Sequence, residues 1–367
     1  MKQKIDIPLL IVIAFLSILG LLMVYSASNV VALEKYNDSL YFTKRQGIFL
    51  LISWIVVLIL IKLDLKRIEK YISVIFIVCL VLLFLVLIPG IGVVRGGARS
   101  WIGVGSLSIQ PSEFMKLGLI GIYAKYLKDN YNDLKKPKYF IMLFSLSVVV
   151  FLIIMLQPDF GTGLVILLSA LILIFIAGVP LKFLLVIAVI GLIGIAGLII
   201  SAPYRIERIL AYINPWNDPL GSGFQGIQSL FAITPGGLFG HGFNNSIQKH
   251  FFLPEPQNDF IFAILVEELG LITGAVVILG YFFIIYRGIK ISKSIDDKFL
   301  QFLTLGIVVS LFVQVFINIG VVIGLLPVTG ITLPLFSYGG SSLLLSMINL
   351  GLLLGISKYR NYDYRGV

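Results

Sequence analysis

Long apolar runs along the whole chain are the feature that most limits how this sequence can fold. About 20 apolar residues in a helix span the hydrocarbon core of a bilayer. Of the 367 residues, 59% are hydrophobic and 13% are charged, and the mean hydropathy is +1.04. These values predict an all-α polytopic membrane protein with about ten transmembrane helices. The approximate segments are 7–27, 45–63, 71–89, 111–127, 139–157, 161–178, 182–200, 260–286, 299–323 and 340–357.

The connections between these segments are short, with one exception. Residues 201–259 form a large loop between helices seven and eight. No Gly/Ser linker or low-complexity stretch divides the sequence, so we expect one domain over 1–367. The first segment follows Lys2 and Lys4, as a signal peptide would. It continues to about Ala27 without a cleavage pattern, which favours a retained helix.

The distribution of basic residues predicts the orientation. The chain has 28 basic and 18 acidic residues, a net charge of +10. In a membrane protein this excess is explained by basic cytoplasmic loops and anionic lipid, and we expect no nucleic-acid partner. With a cytoplasmic N-terminus, 19 basic residues fall on the inner side, 8 on the outer side and Lys116 within a helix. This split predicts N-in and C-in topology, with 90–110, 201–259 and 324–339 outside.

Metal and disulfide chemistry find little support in the sequence. Cys79 is the single cysteine, so an internal disulfide is excluded. Two histidines and one cysteine do not supply a zinc cluster. The sequence therefore identifies no residues as metal ligands.

The segment 254–260, which reads PEPQNDF, contains the strongest candidate for chemistry. Its two prolines delay the helix, so Asp259 falls where helix eight should begin. Asp259 is therefore either an N-cap or a general base, and one residue can serve both roles. Partial desolvation would raise its pKa toward the working pH, whereas the helix N-terminus would lower it.

Two other polar segments precede predicted helices. Arg99 and Trp101 lie in a Gly/Arg-rich stretch that suits an anionic group, or else forms a charged turn anchored by Trp101. Glu113 and Lys116 are three residues apart near the start of helix four and share one face. Because ions within a span cost about 2.5–3.5 kcal/mol each, this pair indicates a cavity or an internal ion pair, and the cavity is preferred.

Three more acids have a structural interpretation. Asp159 lies in the tight turn between helices five and six, where it is expected to cap helix six. Glu267 and Glu268 lie within helix eight, roughly 12 Å beyond Asp259. They do not share its face, so we expect them to tie helix eight to its neighbours. The Pro/Gly-broken stretch 326–342 must be buried in protein or line a cavity, where its hydroxyls can satisfy freed backbone groups.

Together these motifs resemble the SEDS family (FtsW, RodA and SpoVE) over nearly the whole chain. The residues at 202–206 and 214–216 resemble the FtsW/SpoVE branch more closely than the RodA branch. Asn258 departs from the family, in which many members have Thr, and His241 between two glycines has no interpretation. The matching segments are 24–28 (VYSAS), 99–102 (RSWI), 110–116 (QPSEFMK), 157–159 (QPD), 254–260 and 324–342.

The resemblance implies a peptidoglycan glycosyltransferase that polymerises lipid II into glycan strands, for cell division or sporulation. The active site would face outward from the bacterial cytoplasmic membrane, and undecaprenyl pyrophosphate would leave. By resemblance, Asp259 is the catalytic base, and the basic members of the substrate-binding set hold the pyrophosphate. The substrate-binding residues expected are Arg99, Trp101, Glu113, Lys116, Arg205, Arg208 and Gln257.

The resemblance also implies partners, and it leaves alternatives open. The expected partners are lipid II, the nascent strand, a class B penicillin-binding protein and other cell-wall assembly proteins. No cofactor is certain, although a divalent cation, Mg²⁺ or Mn²⁺, would suit a pyrophosphate leaving group. A lipid II flippase is one alternative, because intramembrane charges are typical of transporters. A non-catalytic scaffold for the penicillin-binding protein is another.

Overall fold

The fold is a bundle of long helices, described by a computed structural model. The described residues are 4–361 except Gly96, Gly105, Ser106, 201–205, 207–209 and Ala211. The helices are α1 (Ile7–Tyr36), α2 (Tyr41–Lys62), α3 (Ile68–Leu85), α4 (Pro111–Asp129), α5 (Pro137–Met155), α6 (Phe160–Ile176), α7 (Leu181–Ile200), α8 (Phe224–Ile233), α9 (Ile261–Lys293), α10 (Lys298–Val322) and α11 (Gly340–Ile356).

Each of the ten predicted apolar segments coincides with one of these helices, α8 being the additional one. Seven helices are long and apolar enough to cross a membrane: α1, α2, α3, α5, α9, α10 and α11, the last with its 3₁₀ extension to Tyr359. The exact number of crossings stays a prediction. Large apolar side chains such as Ile7, Ile11 and Ile18 on α1 are exposed, as lipid-facing positions require.

Helices α10 and α11 form the centre of the bundle. In the most apolar 18 residues of each helix, 72% are buried in α10 and 78% in α11. The corresponding share is 22% to 39% in the other five candidate spans. Helix α11 packs against α2, while α10 packs against α4, α6 and α9. Polar side chains on α10 are therefore enclosed by protein rather than by lipid.

Both chain ends meet at one end of the bundle. Asp6 caps α1 and accepts hydrogen bonds from Arg287 near the end of α9 and from Arg360 beyond α11. An even number of crossings brings the two termini to the same side, so this contact agrees with the predicted N-in, C-in arrangement. Asp259 precedes α9 and therefore lies at the opposite end of the bundle.

A small antiparallel sheet lies between α3 and α4. The all-α prediction omits it, because its strands have only three to seven residues and carry little pattern. The strand order is β1 (Gly92–Arg95), β2 (Ala98–Val104) and β3 (Leu107–Ile109), with a bulge where β1 meets Arg99. Gly92 is needed here, since a Cβ would lie 1.9 Å from the carbonyl oxygen of Val86.

The described part of the 201–259 insertion folds back onto the bundle instead of forming an open loop. Helix α8 packs against α9 and α10, and Ser229 donates a hydrogen bond of 2.8 Å to the carbonyl of Val322. Large apolar side chains remain exposed beside it, including Leu220 and Phe239. The described surface of the insertion is thus partly apolar.

Candidate active site

Asp259 lies in a turn immediately before α9, with its side chain half-buried. The helix begins at Ile261, and Phe260 is its N-cap. The N-cap interpretation of Asp259 is therefore wrong by one residue. Tertiary contact explains the offset, because Asn318 on α10 donates a hydrogen bond of 2.7 Å to the main-chain carbonyl of Asp259.

Gln257, two residues earlier, is anchored to the Pro/Gly-broken stretch. Its carbonyl accepts a hydrogen bond of 2.8 Å from the backbone N–H of Tyr338. The side chain is 4% exposed, and its amide oxygen has no hydrogen-bond partner among the described residues. The side-chain oxygens of Asn258, Asn318 and Thr329 are likewise buried without a hydrogen-bond partner among the described residues. Buried acceptors of this kind mark sites of unmet hydrogen bonding near Asp259 and are uncommon in native proteins.

Glu113 and Lys116 form a buried ion pair of 2.8 Å near the start of α4. Lys116 also donates to the side-chain oxygen of Gln314 on α10 over 2.9 Å. Each member of the pair is 5% exposed. This is the internal pair that the sequence analysis ranked second to a functional cavity. Direct contact of Lys116 with a substrate phosphate would require the pair to separate.

The stretch between α10 and α11 is held by side chains from several helices. Gln314 donates to the carbonyl of Thr332, whose hydroxyl is 2.8 Å from that of Ser342. Gln46 on α2 donates to the carbonyl of Ser337 and accepts from the N–H of Gly339. Amides and hydroxyls therefore satisfy the backbone groups that the breaks release, as expected for irregular chain at membrane depth.

Arg99 and Trp101 lie two residues apart on β2, and both are half-buried. The guanidinium of Arg95 on β1 lies 5.0 Å from the centroid of the Trp101 ring, within cation–π range. The sheet packs on α4 and α11, which brings it to the same end of the bundle as Asp159. The structure does not join Arg99 directly to the Lys116 pair. Arg205 and Arg208 lie outside the described residues.

Asp159 caps α6, accepting a hydrogen bond of 3.1 Å from the N–H of Thr162, as the sequence predicts. The other carboxyl oxygen accepts from the side chain of Gln110 over 2.9 Å. The backbone N–H of Gln110 in turn donates a hydrogen bond of 3.1 Å to the hydroxyl oxygen of Ser341. The starts of α4, α6 and α11 are thereby tied together beside the candidate site.

Glu267 and Glu268 belong to a second buried cluster, separate from Asp259. Glu268 accepts from Ser26 on α1 and from Lys249 in the insertion. Glu267 accepts from the backbone N–H of Ile247. The prediction that these acids tie helix eight to its neighbours holds for α1, but most of their bonds go to residues 244–249 of the insertion.

Helix α9 is broken at Gly270, and the insertion closes the break. Gly270 has φ 79° and ψ 172°, outside the helical region. The N–H groups of His241 and Gly242 donate to the carbonyls of Glu267 and Glu268, which an unbroken helix would use itself. His241 serves here through its backbone, and its side chain is exposed. That backbone role explains why the side chain gave no interpretable motif.

The sequence analysis missed several polar residues that the structure places in these networks. Gln314 and Asn318 lie four residues apart in a mostly apolar span, so they share a face of α10. A polar pair at that spacing could have indicated a buried internal face, because lipid exposure is costly. Lys249 gave no such signal, since it lies in the insertion among polar residues. The other missed members are Gln46 and Asn244, whereas Ser26, Thr332 and Ser342 lie in the segments 24–28 and 326–342 that the sequence had already indicated.

Comparison with known proteins identifies the family. A family model described as cell cycle protein, for FtsW, RodA and SpoVE, matches residues 7–362. The chain belongs to this family. It is 49% identical over 362 residues to stage V sporulation protein E of Bacillus subtilis, covering 98% of this chain and 99% of that protein. A second family member, probable peptidoglycan glycosyltransferase FtsW of Geobacter sulfurreducens, is 40% identical, with coverage of 97% and 95%.

Solved structures of the family share the fold. A chain from "Structural coordination of polymerization and crosslinking by a peptidoglycan synthase complex" has a TM-score of 0.78 and 31% identity, with 98% and 99% coverage. The rod shape determining protein RodA of Thermus thermophilus has a TM-score of 0.70 and 27% identity over the same shares. The match extends over the whole bundle, so the mostly helical membrane fold is that of the FtsW/RodA/SpoVE family.

Proposed function

We propose that this member of the family is a peptidoglycan glycosyltransferase that polymerises lipid II for cell division or sporulation. The names of the FtsW relatives support the activity. The observation that carries the site assignment is Asp259, a half-buried carboxylate anchored through its main chain to a non-helical stretch at one end of the bundle. The proposed location is the outer face of the bacterial cytoplasmic membrane.

The proposed reaction joins two sugars by displacement at one anomeric carbon, where a new C–O bond forms as the bond to the pyrophosphate breaks. The C4 hydroxyl of the acceptor sugar attacks the anomeric carbon of the growing strand, and the bond to undecaprenyl pyrophosphate breaks. Asp259 takes the hydroxyl proton as general base, a step that typically contributes 10²–10⁴-fold to the rate. The pyrophosphate leaves with the bonding electron pair.

The leaving pyrophosphate needs positive charge, and two described basic side chains are candidates to supply it. Arg99 on β2 is half-buried and can offer a planar fork to a phosphate. Lys116 is paired with Glu113, so we assign it a longer-range role through Gln314 and the stretch that follows α10. The proposed roles of Trp101 and Gln257 are contacts with the sugar or lipid headgroup.

A divalent cation fits this site only as a companion of the substrate. Among the described residues no three His, Cys, Asp or Glu side chains come together as a metal cage. Mg²⁺ and Mn²⁺ commonly use one or two carboxylates together with substrate phosphates. The substrate phosphates would supply the main ligands in that arrangement, and the cation would neutralise charge on the leaving group.

The proposed partner is a class B penicillin-binding protein. The solved chain with a TM-score of 0.78 comes from a peptidoglycan synthase complex of polymerisation and crosslinking, which supports this pairing. Lipid II and the nascent strand complete the proposed set, along with other cell-wall assembly proteins. The docking face on this chain is left to experiment.

Glycan synthesis from lipid II by the purified complex tests the proposal. Asp259→Asn is expected to abolish polymer formation while the protein remains folded and still associates with its partner. Asp218→Asn is a matched control, because Asp218 lies in the same insertion and bonds only its own turn at Gly221 and Ser222 in the described structure. Undiminished synthesis by Asp259→Asn would refute the base assignment.

Two further assays separate the alternative functions. Transport of lipid II across reconstituted vesicles without polymer formation would favour a flippase. Complementation of a depletion strain by Asp259→Asn would favour a non-catalytic scaffold. We expect neither result, because the FtsW relatives are named as peptidoglycan glycosyltransferases.

A further inference from the structure

The side chain of Asn318 makes a double hydrogen bond at the candidate site. It lies on α10 and is 1% exposed. Its amide nitrogen donates to the carbonyl of Asp259 and to the carbonyl of Ile331, each over 2.7 Å. A side-chain amide has two N–H hydrogens, so both are used. If the amide were flipped, its oxygen would lie against two carbonyl oxygens and could accept from neither. The two carbonyls therefore select the orientation in which the nitrogen donates.

Two links among the described hydrogen bonds join the turn that carries Asp259 to the stretch after α10. One is the bond from the N–H of Tyr338 to the carbonyl of Gln257. The other is the bridge from Asp259 through Asn318 to Ile331. The bridge through Asn318 binds the main chain of the candidate base itself and connects it to α10 at the centre of the bundle.

Gln314 repeats the arrangement one helical turn earlier. Its amide nitrogen donates to the carbonyl of Thr332 over 3.1 Å, and its oxygen accepts from Lys116. Gln314 and Asn318 are separated by roughly 6 Å along the helix axis. They bind the successive carbonyls of Ile331 and Thr332. One face of α10 therefore sets the spacing between the Asp259 main chain and the Lys116 ammonium.

We propose that Asn318 is a positioning residue that holds the Asp259 carboxyl at the reacting hydroxyl. The inference rests on the proposed role of Asp259 as general base. Asn318 acts through the main chain of Asp259 and does not itself exchange a proton. A base displaced by about 1 Å can lose about 10²-fold in rate. Loss of Asn318 should therefore reduce turnover more than it reduces substrate binding.

A graded set of variants separates hydrogen-bond donation from packing. Asn318→Ser keeps one donor, Asn318→Ala keeps none, and Asn318→Asp keeps the shape but places a carboxylate against two carbonyls. Thr304→Val is the matched control, because Thr304 is fully buried on the same helix and bonds only the carbonyl of Leu300 within it in the described structure. The full chain in complex with its penicillin-binding protein is supplied with lipid II, and kcat and KM are measured.

We expect kcat to fall about tenfold or more in Asn318→Ala, with KM changed by less than about threefold. Asn318→Ser should retain an intermediate kcat, and Asn318→Asp should be the slowest although it is nearly isosteric. Size-exclusion profiles and thermal unfolding check that the compared variants are folded. Asn318→Ser provides a milder variant should Asn318→Ala fail to fold.

Three results would overturn the inference. The first is a kcat for both Asn318→Ala and Asn318→Ser equal to that of Thr304→Val. The second is a rise in KM at constant kcat, which would make Asn318 a substrate-binding residue. The third is full turnover by Asp259→Asn, which removes the base assignment as well. If Asp259→Asn is inactive while the Asn318 variants are unaffected, only the positioning role fails.

Discussion

The ammonium of Lys249 lies 3.2 Å from a carboxyl oxygen of Glu268, and neither side chain reaches solvent. The same ammonium donates to the carbonyl and the side-chain oxygen of Asn244. Glu268 also accepts from Ser26 on α1. This ion pair therefore fastens the insertion between α7 and α9 to the first helix of the bundle.

Replacing Lys249 by Met should destabilise the protein strongly. The substitution keeps an apolar stem but leaves the Glu268 carboxylate buried without its cation, which typically costs 3–5 kcal/mol. The double variant Lys249→Met/Glu268→Gln should recover much of the loss. Lys44→Met is the control, because the Lys44–Asp38 pair is exposed and screened by solvent, so its loss should change stability little. Thermal unfolding in detergent measures all three, and equal losses for Lys249→Met and Lys44→Met would contradict this account.

Gly240→Ala should be far more disruptive than Gly237→Ala. Both glycines have positive φ, but a Cβ at 240 would lie 2.2 Å from the carbonyl oxygen of Glu268, whereas the space at 237 is open. The backbone conformation alone costs about 1–2 kcal/mol for either substitution. The clash at 240 should add about 1–3 kcal/mol and release the insertion from the break at Gly270.

Limited proteolysis of the insertion and thermal unfolding measure the difference between these two glycines. His241→Ala should behave as wild type, because only the backbone N–H of that residue is used. Comparable protection from proteolysis in Gly240→Ala and Gly237→Ala would show that the contact between Gly240 and the Glu268 carbonyl does not hold the insertion.

Asp6 should make stability depend on pH in the acid range. Burial raises the pKa of Asp6, but hydrogen bonds from Arg287 and Leu9 and the charges of Arg360 and Arg287 outweigh it and lower the pKa below 3.8. A lowered pKa in the folded state means that the stabilisation is fully present above the unfolded pKa. It is lost as the pH falls through the folded value.

Asp6→Asn isolates that charge, since asparagine remains a good N-cap for α1. The variant should be less stable than wild type by about 2 kcal/mol near neutral pH, and the difference should shrink below about pH 4. Thermal unfolding of both proteins across this range provides the measurement. A difference that stays constant down to the lowest pH would exclude Asp6 titration as its source.

Removal of divalent cations should lower turnover without changing the stability of the substrate-free protein. No metal cage is formed by the described residues, so we expect the cation to bind together with the substrate pyrophosphate. Chelation should reduce glycan synthesis by about tenfold or more, and added Mg²⁺ or Mn²⁺ should restore it. A metal-dependent rise in unfolding temperature without lipid II would instead reveal a resident site.

Helix positions were predictable because apolar length and helical spacing are local properties. Each of the ten predicted segments coincides with a helix, and Glu113 and Lys116 form the pair that a three-residue spacing permits. The capping of α6 by Asp159 is equally local. The sheet after α3 was missed, because strands of only three to seven residues carry little pattern of their own.

The sequence by itself determined that the chain is a helical membrane protein, and it singled out Asp259. Lipid cannot satisfy backbone polar groups, so long apolar runs have few alternatives to the helix. Only the tertiary structure decided how Asp259 is held, because the anchoring amide of Asn318 is 59 residues away. The break at Gly270 was equally hidden, since it is stable only when residues 237–242 supply the missing backbone hydrogen bonds. Such long-range pairings depend on how the helices and the insertion pack, which no local pattern encodes.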